Sequence, residues 1–448
     1  RRKFFYSMGF MNWCSHDPGC AIIRTDGKDI DLIFSEEGFI SRKKKSYQFP
    51  LRSMMYCLEY FDIGLKDVDV VSLDYMDNKT VYRTSDNFRL LIGDFIRSRL
   101  KIDQSKVKFV TSHHYAHALT AFWPSTFKEA SVLVVDALGS RQQTHSVFNF
   151  TDRKPSKKIF EQKGVGIGTL YRLVTSALGF DSGEEGKTMG LAPYGKDFVS
   201  VDKDLPSFRG NFNGFETDYS QQIFRNPSPS LKFNLKRPND KKDVYNKYFS
   251  RIAYNLQNET ERCLVHLAKE CLKLTYSKNL CFAGGVALNC VANNKIQNLD
   301  EINEFYVQPA SGDTGIPIGL ALAGLEEIGF ELHTLMSPKN REKLVTPFSS
   351  DETPLEGYYS DGFNSLLVNN KITLKPFNPN VIAKKMAQEE VVALFSKGIE
   401  FGPRALGNRS FLADVRNYKM KEIMNKKIKH REGYRPFAPM VLKENFFD

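Results

Sequence analysis

Three of the chain's eight histidines fall within five residues, in the string Ser112-His113-His114-Tyr115-Ala116-His117-Ala118. His113 and His117 are four apart, so on a helix they leave one face a turn apart. Two imidazoles so placed can hold one transition metal, with the remaining ligands supplied from elsewhere in the chain. Asp136 in VVDALGS and Asp313 in SGDTGIPIG, each close to glycine, are the natural candidates. An isolated HxxxH arises easily by chance as an ordinary helix face. Its combination with glycine-flanked acidic strand ends points instead to a metal-assisted nucleotide site.

Three glycine-rich strings fit such a site. In DALGS the turn at Gly139 and Ser140 offers backbone amides that can reach a phosphate without obstruction. AGGVALN follows a buried strand and opens a helix, so Gly284 and Gly285 would let a purine or ribose come close, with Asn289 at its end. SGDTGIPIGLALAG repeats the pattern one strand later, with Gly312 in the turn. None of these is a P-loop or a Rossmann fingerprint, and GVGIG at 164–168 lacks the βαβ context the latter needs. Lys187 stands in GEEGKTMGLAPYG, which reads as a glycine-flanked loop where a lysine can meet phosphate as a mobile point charge. Near the end, EFGPRALGNRS and KKIKHREGYRPFAP set Arg404, Arg409, Lys429, Arg431 and Arg435 among glycines and prolines. Arginines framed in this way are pre-set for bidentate binding of phosphate or carboxylate.

Alternating apolar patterns predict strands at 4–13, 20–25 and 29–34, then helices at 51–61 and 87–100 with a short strand at 68–73. A strand at 108–111 leads into the histidine helix, 112–122. A second three-strand pattern follows at 131–136, 143–149 and 157–164, its first strand ending in DALGS where the earlier one ended in NWCSHDPG. That echo predicts a duplicated α/β fold of the actin-like ATPase type, in which paired turns grip a nucleotide's phosphates. Residues 200–248 read as an insertion, 254–276 as a strong amphipathic helix and 279–282 as a buried strand. The expected organisation is a first domain over 1–340, a linker over 341–380 and a smaller domain over 381–448.

The chain has 448 residues, too many for one compact core, and a net charge of +11. From Lys384 to Asp448 fourteen Lys and Arg face eight Asp and Glu, a local excess of +6 that suits polyanionic ligands. No apolar run approaches the ~20 residues of a membrane span, and the first residues form no signal-peptide core. Seven cysteines without a CxxC pair favour reduced thiols, hence a cytoplasmic setting.

Taken in order, HHYAHA, DALGS, GKTMGLAPYG, GGVALN, SGDTGIPIG, EFGPRALGNRS and REGYRPFAP resemble the successive signatures of the NodU/CmcH O-carbamoyltransferase family. The resemblance runs from Gly9 to Phe446 and departs at Gly38, where the family's early string has arginine, and at Lys397-Gly398, where it has Gly-Arg. It implies an actin-like (ASKHA) domain similar to the tRNA threonylcarbamoyl transferase, followed by a YrdC-like α/β domain that is incomplete at residue 448. It also implies carbamoyl phosphate and ATP as co-substrates, gripped through Arg404, Arg409, Lys429, Arg431 and Arg435. Carbamoyl-adenylate would form there and pass to the first domain, where iron, Fe(II) or another divalent metal, would sit on His113, His117, Asp136 and Asp313. His16, beside Asp17, is the candidate general base, with Lys187 as a second catalytic candidate.

The leading expectation is therefore an ATP-dependent O-carbamoyltransferase acting on a small-molecule hydroxyl. The basic balance keeps a hydroxymethylated nucleobase, in a nucleotide or in DNA, as an alternative acceptor. From another class, the chain could be a nucleotide-gated binding or regulatory protein that kept the cleft and lost the chemistry. No membrane partner is expected, and a homodimer is left open.

Overall fold

The computed structural model describes residues 4–11, 16–43, 48–74, 95–110, 112–197, 205–224, 230–233, 235, 247–345, 369, 373, 375–395 and 400–445. They divide into two compact units, one formed by residues 1–346 with 401–403, the other by 347–400 with 404–448. The expected linker thus begins inside a helix of the first unit, Pro338–Val345. Residues 401–403, expected in the second domain, belong to the first unit, where Phe401 meets Phe34 edge to face at 4.7 Å and the Gly402 amide donates to Glu36 Oε1 at 3.1 Å.

The first unit is built twice over. Strands β1 (Phe5–Phe10), β2 (Gly19–Thr25) and β3 (Ile30–Glu36) form an antiparallel meander, and β4 (Val70–Asp74) and β5 (Val107–Val110) add to β1 in parallel, in the order β3-β2-β1-β4-β5. The second sheet repeats this with β6 (Glu129–Val135), β7 (Gln143–Thr151) and β8 (Lys157–Lys163). After four short strands, β9 (Asn211–Asn213), β10 (Glu216–Asp218), β11 (Ile223–Phe224) and β12 (Ser230–Leu231), the sheet is completed in parallel by β13 (Asn279–Ala283) and β14 (Glu304–Val307). Its order, β8-β7-β6-β13-β14, is that of the first sheet. The internal echo in the sequence is therefore a true duplication, as the actin-like reading requires. The expected insertion at 200–248 contains β9–β12, and the helix expected over 87–100 lies mostly outside the described residues.

Helices occupy matching places. In the first half, α1 (Glu37–Ser41) and α2 (Leu51–Tyr60) follow the meander, and α3 (His113–Ser125) follows the last strand. In the second half, α4 (Ile167–Ala177), α5 (Glu185–Leu191) and α6 (Lys247–Thr275) follow the meander, α7 (Cys290–Gln297) lies between β13 and β14, and α8 (Ile316–Glu327) follows the last strand. Because α3 and α8 are central, they are apolar around most of their circumference: Ile316 to Leu325 are all buried, and Tyr115 is the one residue of α3 that is not.

The two central helices cross at backbone distance. A Cβ on Gly319 would stand 2.1 Å from the Ala116 carbonyl oxygen and 2.8 Å from Thr120 Oγ1. Gly9 does the same for α8 against β1, since a Cβ there would meet the Pro317 carbonyl oxygen at 2.2 Å. Ser7 Oγ secures that contact by donating to the Ala321 carbonyl at 2.6 Å. Among the described residues the cysteines form no disulfide, and no helix is long and apolar enough to cross a membrane.

Gly319→Val should force α3 and α8 apart. We expect a loss of about 3 kcal/mol or more of folding stability, the upper range for overpacking, measured by denaturant titration. Divalent-metal binding should fall with it, because the crossing aligns the ligands described next.

Candidate metal centre and anion-binding loops

Corresponding junctions of the two halves converge on one point. Ser112, whose Oγ accepts from the Tyr115 amide at 3.2 Å, caps α3 and fixes its start at His113. His113 and His117 then occupy one face, their Nε2 atoms 3.0 Å apart. The equivalent junction of the second half, from β14 into α8, supplies Asp313 in the 3-10 turn Asp313–Gly315. The turn after β6 supplies Asp136, and the matching turn after β1 carries His16 and Asp17.

His113 Nε2 lies 3.2 Å from Asp136 Oδ2 and 3.4 Å from Asp313 Oδ1, and His117 Nε2 lies 3.4 and 3.5 Å from the same atoms. One ligand atom from each of the four residues falls within 4.8 Å of all the others. His113 Nδ1 donates to Asp74 Oδ2 at 2.7 Å, which leaves Nε2 as a bare lone pair facing His117 and the two carboxylates. Acceptors aimed at acceptors in a buried space demand either an added proton or a cation. Without a metal ion the proton takes that place: burial opposes the imidazolium, but Asp74, Asp313 and Asp136 raise the His113 pKa well above its usual range. Asp136 is correspondingly lowered well below the usual carboxylate range, against its burial, by His113 and His117. Two imidazoles and two carboxylates fit a first-row divalent ion such as iron, manganese or zinc.

Asp74 has no part in the sequence reading. It ends β4, buried, and fixes the His113 tautomer as carboxylates behind ligating histidines do. His114 points elsewhere, to Ser146 Oγ at 2.8 Å, and burial pushes its pKa well below normal. It is a core histidine. His16 bonds Asp17 Oδ2 through Nδ1 at 3.0 Å, and its Nε2 is 3.8 Å from Asp313 Oδ2. The Asp17 hydrogen bond, with Asp313 adding against burial, raises His16 to about 9, so it carries a proton at neutral pH in the metal-free state.

The glycine strings gather around the same point, for reasons partly internal to the fold. A Cβ on Gly139 would meet the His114 ring at 2.8 Å, and Ser140 Oγ accepts from the His113 amide at 3.2 Å. A Cβ on Gly284, whose φ is near +92°, would stand 2.2 Å from the Val135 carbonyl oxygen, and one on Gly285 would stand 3.1 Å from Asp136 Oδ1. Gly312 adjoins Gly285, its Cβ position 3.8 Å from the Gly285 Cα. Asn289 caps α7 and exchanges amide hydrogen bonds with Gln257 at 2.9 and 3.1 Å. Lys187 lies within α5 rather than in a loop, and its Nζ is 2.7 Å from Glu184 Oε1, an ion pair instead of a mobile charge.

In the second unit, β15 (Val392–Phe395) and β16 (Arg409–Leu412) make an antiparallel ribbon. Arg409 stacks over Phe395 at 4.1 Å and Lys429 over Phe411 at 4.5 Å. Burial, then the charges of Arg435 and Arg404, lower the Arg431 pKa against the opposing charge of Glu432, which also pairs with Arg435 at 3.5 Å. Two residues outside the sequence reading shape these loops. Glu400 Oε1 accepts from the amides of Leu406, Asn408 and Arg409 at 2.7, 2.7 and 3.2 Å. Buried Asn425 donates to the carbonyls of Gly433 and Arg435 at 3.2 and 3.0 Å, and its Oδ1 accepts from Arg431 Nε at 2.7 Å.

Residues 74–322 match the family described as carbamoyltransferase N-terminus, and 383–448 match carbamoyltransferase C-terminus. Among curated relatives, nodulation protein NolNO of Sinorhizobium fredii is 30% identical over 98% of this chain, which spans 64% of that protein's length. The 3'-hydroxymethylcephem-O-carbamoyltransferase of Amycolatopsis lactamdurans is 26% identical over 58% of this chain and 45% of its own length. A solved structure, HypF of T. kodakarensis, aligns over 75% of this chain and 49% of its own with 13% identity and a TM-score of 0.44. The chain belongs to the carbamoyltransferase family, as its motifs led us to expect.

Asp74→Asn should leave the fold intact and weaken divalent-metal binding about 10–100-fold, read by calorimetric titration of the apoprotein. Asn425→Ala should weaken binding of inorganic phosphate or pyrophosphate to the second unit's arginines by several-fold, with unchanged metal affinity.

Proposed function

We propose that this protein is an O-carbamoyltransferase that activates carbamoyl phosphate with ATP and transfers the carbamoyl group to a hydroxyl of a small molecule. The four-residue ligand set of His113, His117, Asp136 and Asp313 carries the reading, because it unites a metal-binding geometry with the family's transferase domain. In the scheme, water cleaves carbamoyl phosphate to carbamate and phosphate, and carbamate attacks the α-phosphorus of ATP with loss of pyrophosphate. The acceptor hydroxyl then attacks the carbamoyl carbon of the resulting adenylate, its proton passes to a base, and AMP departs.

The chain's own groups divide these tasks by charge. Arg431 and Arg435, held by the Asn425 staple, and Arg404, whose charge acts on Arg431, bind phosphate oxygens and offset charge as pyrophosphate leaves. Arg409 and Lys429, flat against Phe395 and Phe411, present further donors on fixed ring platforms. In the first unit the adjoining turns at Gly285 and Gly312 are where the nucleotide approaches the backbone, next to Asp136. His16 accepts the hydroxyl proton once it has lost the one that Asp17 and Asp313 hold on it. A divalent ion, iron by family resemblance, would be held by His113, His117, Asp136 and Asp313 and would supply positive charge to offset that of the phosphate.

The net charge of +11 favours one second reading, a hydroxymethylated nucleobase as acceptor, in a nucleotide or in DNA. Steep salt dependence of acceptor binding would distinguish it from a neutral alcohol. The decisive assay follows AMP and pyrophosphate release from ATP with and without carbamoyl phosphate. We expect release that requires carbamoyl phosphate, and an Arg431→Ala variant whose KM for carbamoyl phosphate rises about tenfold or more, the worth of one charge-assisted contact. Release independent of carbamoyl phosphate, or none from loaded protein, overturns the adenylate scheme.

A further inference from the structure

A second polar site lies at the end of α8 opposite Asp313, where Glu326 meets Tyr115 from the first turn of α3. Between the last turn of α8, α3 and the turn joining β7 to β8 is a cavity of about 120 Å³. Its wall carries the rings of Tyr115, Trp123, Phe150 and Phe330 and the carboxylates of Glu326 and Glu331. Glu326 is largely buried and accepts only from Tyr115 OH, at 2.9 and 3.1 Å; Lys154 and His333 also line the cavity, but among the described residues neither forms an ion pair with Glu326. Tyr115 OH also meets Ser156 Oγ at 3.1 Å, so the hydroxyl is already engaged on both sides. Trp123, 3% exposed, contributes an indole N–H that finds no acceptor among the described residues.

Each of these groups lacks a complement of a definite kind. A desolvated carboxylate without a cation is costly, and here it also stands in the last turn of α8, where the helix dipole disfavours negative charge. Aromatic rings around a carboxylate are the usual lining for an organic cation. The orphan indole N–H calls for an oxygen acceptor, and Trp123 is one of the residues that line this cavity. We propose that the cavity binds a small aliphatic ammonium ion bearing a hydroxyl, its nitrogen against Glu326 and its oxygen toward Trp123, at a site separate from the metal centre. This goes beyond the transferase reading and does not depend on it.

Burial, with the charge of Glu327, raises the Glu326 carboxyl to about 7 from its usual 4.5 despite the Tyr115 hydrogen bond. Facing it are Tyr115 from α3, Lys154 and Ser156 from the β7–β8 turn, and Glu331 and His333 from the segment after α8. The native state therefore keeps a proton that the unfolded chain releases between pH 4.5 and about 7, so ionisation costs stability as pH rises through that window. Glu326→Gln should raise Tm above that of wild type at pH 8 and leave the two alike below pH 4.5.

The test titrates the whole protein with 2-aminoethanol and with 1,2-ethanediol, its uncharged counterpart, by calorimetry at pH 8. Expected are saturable binding of the amine, none of the diol, a Tm raised by the amine, and affinity lowered about tenfold or more in Glu326→Gln. Trp123→Phe, which keeps the ring and loses the N–H, should bind 2-aminoethanol several-fold more weakly. No saturable binding of the amine, equal binding of amine and diol, or unchanged affinity in a folded Glu326→Gln protein overturns the proposal. The amine and diol comparison decides the matter even if the variant does not fold.

Discussion

The approach of Gly319 to the Ala116 carbonyl is the contact on which the first unit turns. It joins a helix from each half of the duplication at backbone distance, and each helix begins at a residue that faces the other half's acid or imidazole. With any side chain at position 319 the helices would separate, and the separation of His113 from Asp313, now 3.4 Å, would grow with them. The geometry of the metal centre is thus set by a glycine that touches none of its ligands.

Duplication also explains why the ligands differ in kind. The two strand-to-helix junctions are equivalent by topology, but one starts a capped α-helix and the other a 3-10 turn followed by Ile316 and Pro317. The capped helix can display two side chains four residues apart, so it carries the histidines. The tight turn can project one, so it carries the aspartate. Asp74 completes the set from the end of a neighbouring parallel strand, where a carboxylate can reach the outer nitrogen of His113 without entering the site itself.

Much of this was readable in advance where a physical rule ties type to spacing. The four-residue interval of His113 and His117 requires a helix to be useful, and that helix formed; the two meanders were visible as alternation. Other residues gave no such signal. Asp74 ends an apolar run, and nothing in VVSLD separates a second carboxylate from an ordinary strand end. Gly139 and Gly284 were read as clearances for a nucleotide, whereas His114 and Val135 occupy those clearances. A sequence marks that something comes close to a glycine, not what it is. Glu400 and Asn425 escaped notice because their partners are backbone groups, which every residue carries. Lys187 was misjudged as a loop residue because Gly186 and Gly190 weaken helix propensity, yet tertiary packing overrides that preference.

The central helix α8 separates two different electrostatic problems, one at each of its ends. At the Asp313 end, carboxylates and imidazoles crowd together, and a divalent cation relieves both the repulsion between acids and the lone-pair contacts between rings. At the Glu326 end, one carboxylate is buried against aromatic rings with a hydroxyl as its partner, so a dispersed, monovalent charge suits it better. α8 runs without a break from Ile316 to Glu327 and follows directly on the 3-10 turn that carries Asp313, so one continuous element connects the two sites. A ligand gains from that link only if it binds more tightly when the metal centre is in order, and reciprocity then requires the metal to bind more tightly when the cavity is filled. The buried carboxylate at one end of α8 and the metal ligand at the other are thereby subject to one thermodynamic constraint.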